Sequence, residues 1–355
     1  MTSHPYRAQP DSAFWSRAIT DGFASRDLVQ SGGTILRRDD RVVSAGSCFA
    51  SNLVPWLERS GITYIRTETV HPLFADTEEH LGYRNFSAAY GNVYTARHLR
   101  QLLERATGAF APVEDRWYVG DHVIDPFRPG LRFPARSDDE FDLLTAQHLA
   151  AVRSAFEQAT VFFFTLGLTE AWVSVADGAA FPACPGVVAG AFDPTRHAFH
   201  NFTVAETVAD VEGFVQLLRG LNPTVRVILT VSPVPLVATA TSDHVLTATT
   251  YSKAVLRAAA GELAAKVPGV SYFPAYEIVT GPQAPADFFL ANRRDVSETA
   301  VVAVMEALLA GLSPPVSPTP SVGGETAERS PSAAVSGVLS RRIAEAECDE
   351  VLADI

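Results

Sequence analysis

Lysine is almost missing from this chain: Lys253 and Lys266 are the only two in 355 residues, and nearly all the positive charge is arginine. With 28 basic against 40 acidic side chains the net charge is −12, and no run of clustered Lys and Arg exists. A phosphate backbone is bound by such clusters, so nucleic acid is not expected as a partner. Cysteine is scarce too. Cys48, Cys184 and Cys348 are an odd and scattered set, which argues against a disulfide framework and for three free thiols. No apolar run reaches the roughly 18 residues a bilayer span needs, and the opening MTSHPYRAQPDSAFW lacks the apolar core of a signal peptide. The expectation is a cytoplasmic protein with no membrane contact and no internal repeat.

What is present is a globular composition, 47% hydrophobic and 19% charged, long enough to bury a sizeable core. Residues 1–40 are mixed and polar and read as an N-terminal extension laid over a core that occupies 41–312. The tract at 313–334 is rich in Pro and Ser and cannot bury enough apolar surface to order itself, so it reads as a linker. Beyond it, over 335–355, Val335, Leu339, Ile343, Val351, Leu352 and Ile355 recur at roughly helical spacing. An amphipathic C-terminal helix is expected there, docking on the core or on a second subunit.

Within the core, apolar spacing predicts helices over 49–60, 95–106, 140–157, 205–219, 248–265 and 296–311. Between them lie continuous apolar runs that read as strands: RVVSAG from 41, ATVFFFTLGLTEAW from 159, TVRVILTVSP from 224 and VSYFPAYEIV from 270. A run apolar on both faces suits a buried parallel strand. Residues 111–137, broken by Gly and Pro, read as a β-rich insertion. Helix and strand in alternation predict a doubly wound α/β fold with a mostly parallel sheet, whose ligands sit at the carboxyl ends of the strands. Ser47, Cys48, Gly167 to Glu170, Ser232 and Glu277 all fall at that edge.

The strand-to-helix turn at Gly46-Ser47-Cys48 carries two side chains capable of nucleophilic attack. The start of a helix offers N–H groups without intrahelical partners, which stabilise a thiolate or an oxyanion. Cys48 gains most, because a thiol is already partly ionised near neutral pH, whereas Ser47 needs an adjacent base. The plainer alternative is that Gly46 makes the turn, Ser47 caps the helix and Cys48 fills a small buried space.

The motif GSCFA at 46–50, with GNVYTARHL at 91–99, FTLGLTEAW at 164–172 and LTVSPVPL at 229–236, resembles the GSCFA family; YSKAVLR at 251–257 and YFPAYEIV at 272–279 extend the likeness. That family is similar to the SGNH hydrolases, esterases, lipases and acyltransferases on a flavodoxin-like α/β/α sandwich. The resemblance implies an acyl-transfer enzyme acting on an ester, thioester or activated acyl donor, with water or another acceptor taking the acyl group and with no cofactor. The superfamily nucleophile lies two positions after the first glycine, which here is Cys48, with Ser47 second. Gly91, followed by Asn92, takes the place of the oxyanion-hole glycine. GLTE at 167–170 matches the third block loosely, so Gly167 and Thr169 are further oxyanion candidates and Glu170 stands where that block has an aspartate. The fourth block departs from the pattern: no histidine follows His244, and NRRDVSE gives Asn292 and Asp295 where an Asp-x-x-His pair is expected.

A base must then come from elsewhere. His244, beside Asp243 and just after the strand bearing Ser232, is the first candidate and His200 the second; His71, in a loop, is a candidate for base or for substrate binding. Glu170, Trp172, Lys253 and Glu277 are candidates for substrate binding. Three of them have a structural alternative: core packing for Trp172, a salt bridge or cap for Lys253, and an ion pair with Arg294 for Glu277. Lys253 also reads as a base or an anion anchor. His197 and His200 have metal-ligand spacing only on a helix, and DPTRHAFHN reads as a loop without a third ligand, so no metal is expected. A second reading, of a different class, is a non-catalytic module that holds a carboxylate or sugar at the same turn.

Overall fold

The first strand, β1 (Arg41–Ala45), follows a short helix α1 (Asp27–Gln30) in a computed structural model that describes residues 4–30, 35–69, 83–129, 131, 134–310 and 312, with the backbone alone for Gln30 and Cys48. The expected linker at 313–334 and tail helix at 335–355 lie outside the described residues, as do His71 and Cys348. After β1 come α2 (Cys48–Ser51) and α3 (Leu53–Arg59), two pieces where apolar spacing predicts one helix. Pro55 has no N–H to offer the Ser51 carbonyl and its ring crowds that carbonyl, so the ladder breaks at Asn52. Next are β2 (Thr63–Tyr64), α4 (Ala96–Thr107), the antiparallel pair β3 (Trp117–Val119) and β4 (His122–Ile124), and α5 (Asp138–Gln158). That pair is the β-rich insertion.

β5 (Val161–Leu166) stops short of the long apolar run that predicts it, and β6 (Glu170–Ser174) begins a separate antiparallel group with β7 (Ala180–Phe181) and β8 (His197–Asn201), in the order β7-β6-β8. The segment around His197 and His200 is therefore a strand, against the loop expected from sequence, because it pairs residue for residue with β6 from Glu170↔Asn201 to Ser174↔His197. The chain continues through α6 (Val204–Leu221), β9 (Arg226–Val231), α7 (Val245–Lys266) and β10 (Val270–Tyr272) to α8 (Ala275–Thr280) and α9 (Glu298–Ala310). The single strand expected over 270–279 is thus a strand and a helix. Pro274 cannot donate to a ladder and stands as the cap of α8.

All five strands of the main sheet are parallel, in the spatial order β10-β9-β5-β1-β2. Counted along the chain this is the 2-1-3-4-5 order of flavodoxin-like sheets. The winding reverses between β1 and β5, which opens a crevice at their carboxyl ends. Strand residues alternate between two cores. Phe162, Phe164 and Leu166 join the core built with α4, α5, α6 and α7; Val161 and Phe163 face the one built with α3, α8 and α9. Phe156, Phe162 and Phe214 meet at ring separations of 4.9–6.1 Å. Each fully buried ring contributes about 1.5–3 kcal/mol through its area and tilted or edge contacts add about 0.5–1.5 kcal/mol per pair, so the α/β/α layering is anchored at β5. The N-terminal extension is packed against this body: Val29 and Leu36 are buried in the α3/α8/α9 core, and Asp40 receives two hydrogen bonds from Arg226, at 2.6 and 2.7 Å.

Candidate active site

β1 ends at Ala45 and the chain turns at Gly46, whose φ of +153° is one that side-chain-bearing residues avoid. A Cβ there would lie 2.7 Å from the Ala50 Cβ and 2.8 Å from the Thr165 Cβ, so glycine is required on two counts. Ser47 is buried and extended, and its hydroxyl makes no cap bond; Cys48 is the first helical residue of α2.

A second segment laces this turn to the neighbouring strand. The Tyr90 hydroxyl donates to the Ser44 carbonyl, and the Val93 N–H donates to the Gly46 carbonyl at 2.8 Å. The Tyr94 carbonyl then accepts from both Gly167 and Leu168, each at 3.1 Å, beyond the end of β5. Gly91 sits at the start of this lace with φ +65°. From the other side α7 closes on the same edge: the Ser252 hydroxyl accepts from the Thr169 N–H at 3.0 Å, and Lys253 Nζ donates to the Gly167 carbonyl at 2.6 Å. Lys253 is only 2% exposed, although it lies on the wall of a groove of about 480 Å3 that runs along α7 past Ala254, Arg257 and Tyr276. Segments 46–48, 91–94, 167–169 and 252–253, far apart in sequence, thus form one edge.

All of these segments lie inside the stretch, residues 41–308, that matches the GSCFA family profile. The chain belongs to the GSCFA family. A search of curated proteins gave no match. Among solved structures, a Streptococcus pneumonia protein described as a platelet activating factor candidate is similar over 80% of this chain and 87% of its own, at 13% identity and a TM-score of 0.34.

Within this GSCFA domain the candidates from sequence divide into those at the edge and those held elsewhere. Gly167 and Thr169 are at the edge, but their donors are engaged inside the protein. The Gly167 N–H goes to Tyr94, the Thr169 N–H to Ser252, and the Thr169 hydroxyl to Asn201 Oδ1 at 2.6 Å. These residues tie the edge together, and Val93, two residues after Gly91, is the one bonded to Gly46. Glu170 opens β6 and is bonded to the Thr239 hydroxyl at 2.6 Å and the Ala240 N–H at 3.2 Å, so it fixes the loop after β9. Trp172 stacks edgewise on Phe192 and Phe199 in the small sheet. Glu277 is on α8, not at the end of a strand; it accepts from Arg257 and, at 2.7 Å, from the Tyr272 hydroxyl, whereas Arg294 pairs with Asp295.

Both leading histidines have partners outside the turn. His244 is exposed at the N-terminus of α7, where its Nδ1 accepts from the Leu246 N–H at 3.1 Å. His200 Nε2 is 2.7 Å from Glu206 Oε1, and strand alternation directs His200 to the face opposite Asn201, the residue that reaches Thr169. Three further histidines are buried in other places, among them His197, whose Nε2 is 3.0 Å from Glu114 Oε2. His148 Nδ1 contacts Glu68 Oε2 at 2.6 Å, and the same carboxylate accepts from the Ala89 N–H; His98 lies on the inner face of α4, with its imidazole pushed down to about 4, mainly by burial. Cys184 is a free, half-buried thiol whose pKa burial raises. Among the described residues no group of His, Cys, Asp or Glu could hold a metal ion, and no helix is long and apolar enough to cross a membrane.

Tyr94, Asn201 and Ser252 are the site residues that sequence reasoning did not single out. Tyr94 and Ser252 stand within quoted motifs but act through a backbone carbonyl and a small hydroxyl, which leave no compositional mark. Asn201 depends on β8, which the Gly and Pro around 185–194 conceal.

Proposed function

We propose that this GSCFA domain is an acyl-transfer enzyme of the SGNH hydrolase kind, with Cys48 as nucleophile and a covalent acyl-enzyme. The observation that carries the reading is the Gly46–Cys48 turn at the point where the sheet reverses its winding, laced by Val93 and Tyr94 to the end of β5. A nucleophile held there attacks an ester or thioester carbonyl in the crevice. The oxygen that becomes negative is met by the Gly91–Asn92 backbone and the Cys48 amide; each such preorganised donor is worth about 3 kcal/mol to the transition state. Water or an acyl acceptor then takes the acyl group from sulfur, and the two outcomes differ only in which one enters.

The test is an aryl thioester such as S-phenyl thioacetate, followed by mass spectrometry of the Val42–Arg59 tryptic peptide. One acetyl group on Cys48, lost in Cys48→Ala together with turnover, is the expected result. Acetyl on the same peptide of Cys48→Ala transfers the role to Ser47. Absence of both label and turnover favours the binding-module reading, in which the edge holds a carboxylate or sugar. What favours that second reading is the engagement of both Thr169 donors, with His200 and His244 bonded to partners outside the turn.

A further inference from the structure

We infer that Lys253, and no histidine, is the proton-transfer partner of Cys48; this rests on the acyl-transfer reading above. Three observations lead there. First, Val93 and Tyr94 bridge the Gly46 turn to Gly167: the Val93 N–H donates to the Gly46 carbonyl at 2.8 Å, and the Tyr94 carbonyl accepts from the Gly167 N–H at 3.1 Å. Cys48 lies two residues beyond Gly46, and Lys253 Nζ sits 2.6 Å from the Gly167 carbonyl. Second, Lys253 is 2% exposed on a helix whose preceding residue, Ser252, is bonded to Thr169, so the amine is held at this edge from both chain and side chain. A lysine removed from water gives up its proton more readily than one in solvent, which makes buried lysines usable as bases. Third, the described histidines near these blocks are held elsewhere: His200 is bonded to Glu206, His244 to its own helix, a rise of roughly 13 Å along the α7 axis from Lys253, and His98 is buried on the inner face of α4.

The charged groups on the elements around Lys253 include Arg257 of α7, which pairs with Glu277 of α8, Glu262 of α7, which lines the same groove and pairs with Lys266, and Glu170 of β6, which is held by Thr239 and Ala240; Tyr276 shares the groove. Nζ keeps one N–H on the Gly167 carbonyl while its lone pair accepts the thiol proton.

The step balances without any co-reactant. The Cys48 Sγ–H proton moves to Nζ, the thiolate forms a C–S bond to the acyl carbon, and the carbonyl electron pair moves to oxygen. Collapse of that adduct breaks the bond to the leaving alkoxide or thiolate, which takes the proton from Nζ. In the second half Nζ accepts a proton from water or the acceptor, which attacks the acyl carbon, and returns it to sulfur as the C–S bond breaks.

The experiment is second-order alkylation of Cys48 by iodoacetamide at pH 7, together with thioester turnover, in wild type, Lys253→Met and Lys253→Arg, with thermal unfolding to confirm folding. Lys253→Met should label at least about tenfold more slowly, since loss of an adjacent cation costs a thiol a decade or more of thiolate. Lys253→Arg keeps the cation and a donor for Gly167, so it should label within about threefold of wild type, yet it cannot cycle a proton and should lose about 100-fold or more in turnover. Labelling of a folded Lys253→Met at the wild-type rate overturns the inference, as does near-wild-type turnover of Lys253→Arg, which decides the matter alone if the methionine variant does not fold. A His244→Gln or His200→Gln variant that reproduces the turnover loss overturns it as well. Lysine-dependent labelling of wild type without any acyl adduct upholds the Cys48–Lys253 pair and sinks the acyl-transfer reading instead.

Discussion

Acid should weaken this protein through His98. The side chain is 3% exposed on the inner face of α4, and its Nδ1 has no hydrogen-bond partner among the described residues. Burial, reinforced by Arg105 and only partly opposed by Asp125, holds its imidazole at about 4 rather than 6.5. Because the folded value lies below the unfolded one, the unfolded chain takes up the proton first as pH falls through 6.5. Stability therefore declines from there down to the folded value, and is restored as pH rises again. At 1.36 kcal/mol per pH unit the loss across that window is about 3 kcal/mol, a large share of the 5–15 kcal/mol that holds a domain together.

The assay is urea unfolding of wild type and His98→Leu at several pH values between 7 and 4. Glu68, Asp125 and His148 also have lowered pKa values and weaken the fold in acid, but they are common to both proteins and cancel in the difference. That difference should move by about 3 kcal/mol in favour of the variant between pH 7 and 4. A difference flat within about 0.5 kcal/mol over the same range refutes the reasoning. The effect bears on the site because α4 begins, at its Thr95 cap, one residue after the lace that holds Gly46 to Gly167.

Three further expectations concern the edge and its supports. Gly46→Ala forces a Cβ within 2.9 Å of three atoms at a positive φ, and should cost about 3 kcal/mol or more in thermal unfolding while slowing Cys48 labelling; a stable and fully reactive variant would show that the turn is looser than described. Ser252→Ala leaves the buried Thr169 N–H without its acceptor, at a cost of about 1–3 kcal/mol, and should lower turnover more than Cys48 alkylation; equal effects on both would argue that it acts on folding alone. Thr203→Ala removes the hydroxyl half of the reciprocal cap with Glu206 at the start of α6, leaving the backbone N–H of residue 203 on the Glu206 carboxylate, and should cost about 1 kcal/mol in urea unfolding, with Cys48 labelling unchanged.

The α/β layering was legible because its strands are apolar on both faces and its long helices carry plain spacing: α5, α6 and α7 each lie within about three residues of their expected bounds. Departures have local causes. Pro55 splits the first helix, and Pro274 turns the second half of an apolar run into α8, carrying Glu277 with it to Arg257. β8 escaped notice because its alternation is short and follows a Gly/Pro-rich stretch, and with it went the contact from Asn201 to Thr169. The motif glycines were readable in the sequence as turns. What joins them was not, since the Tyr94 carbonyl and the Val93 N–H are backbone groups that any residue would supply.

The lace has a consequence for the order of events during folding. Its bonds join residues near 46, 93 and 167, and α7 adds residues 252 and 253, so the edge is assembled almost wholly from contacts distant along the chain. Closing such loops is slow relative to forming a helix and its neighbouring strand, as α5 and β5 do across a gap of two residues. A nascent chain that has not yet docked α7 can therefore own a formed aromatic core and still lack this edge, and on the acyl-transfer reading proposed above the alkylation rate of a single thiol, Cys48, becomes a clock for the last stage of folding.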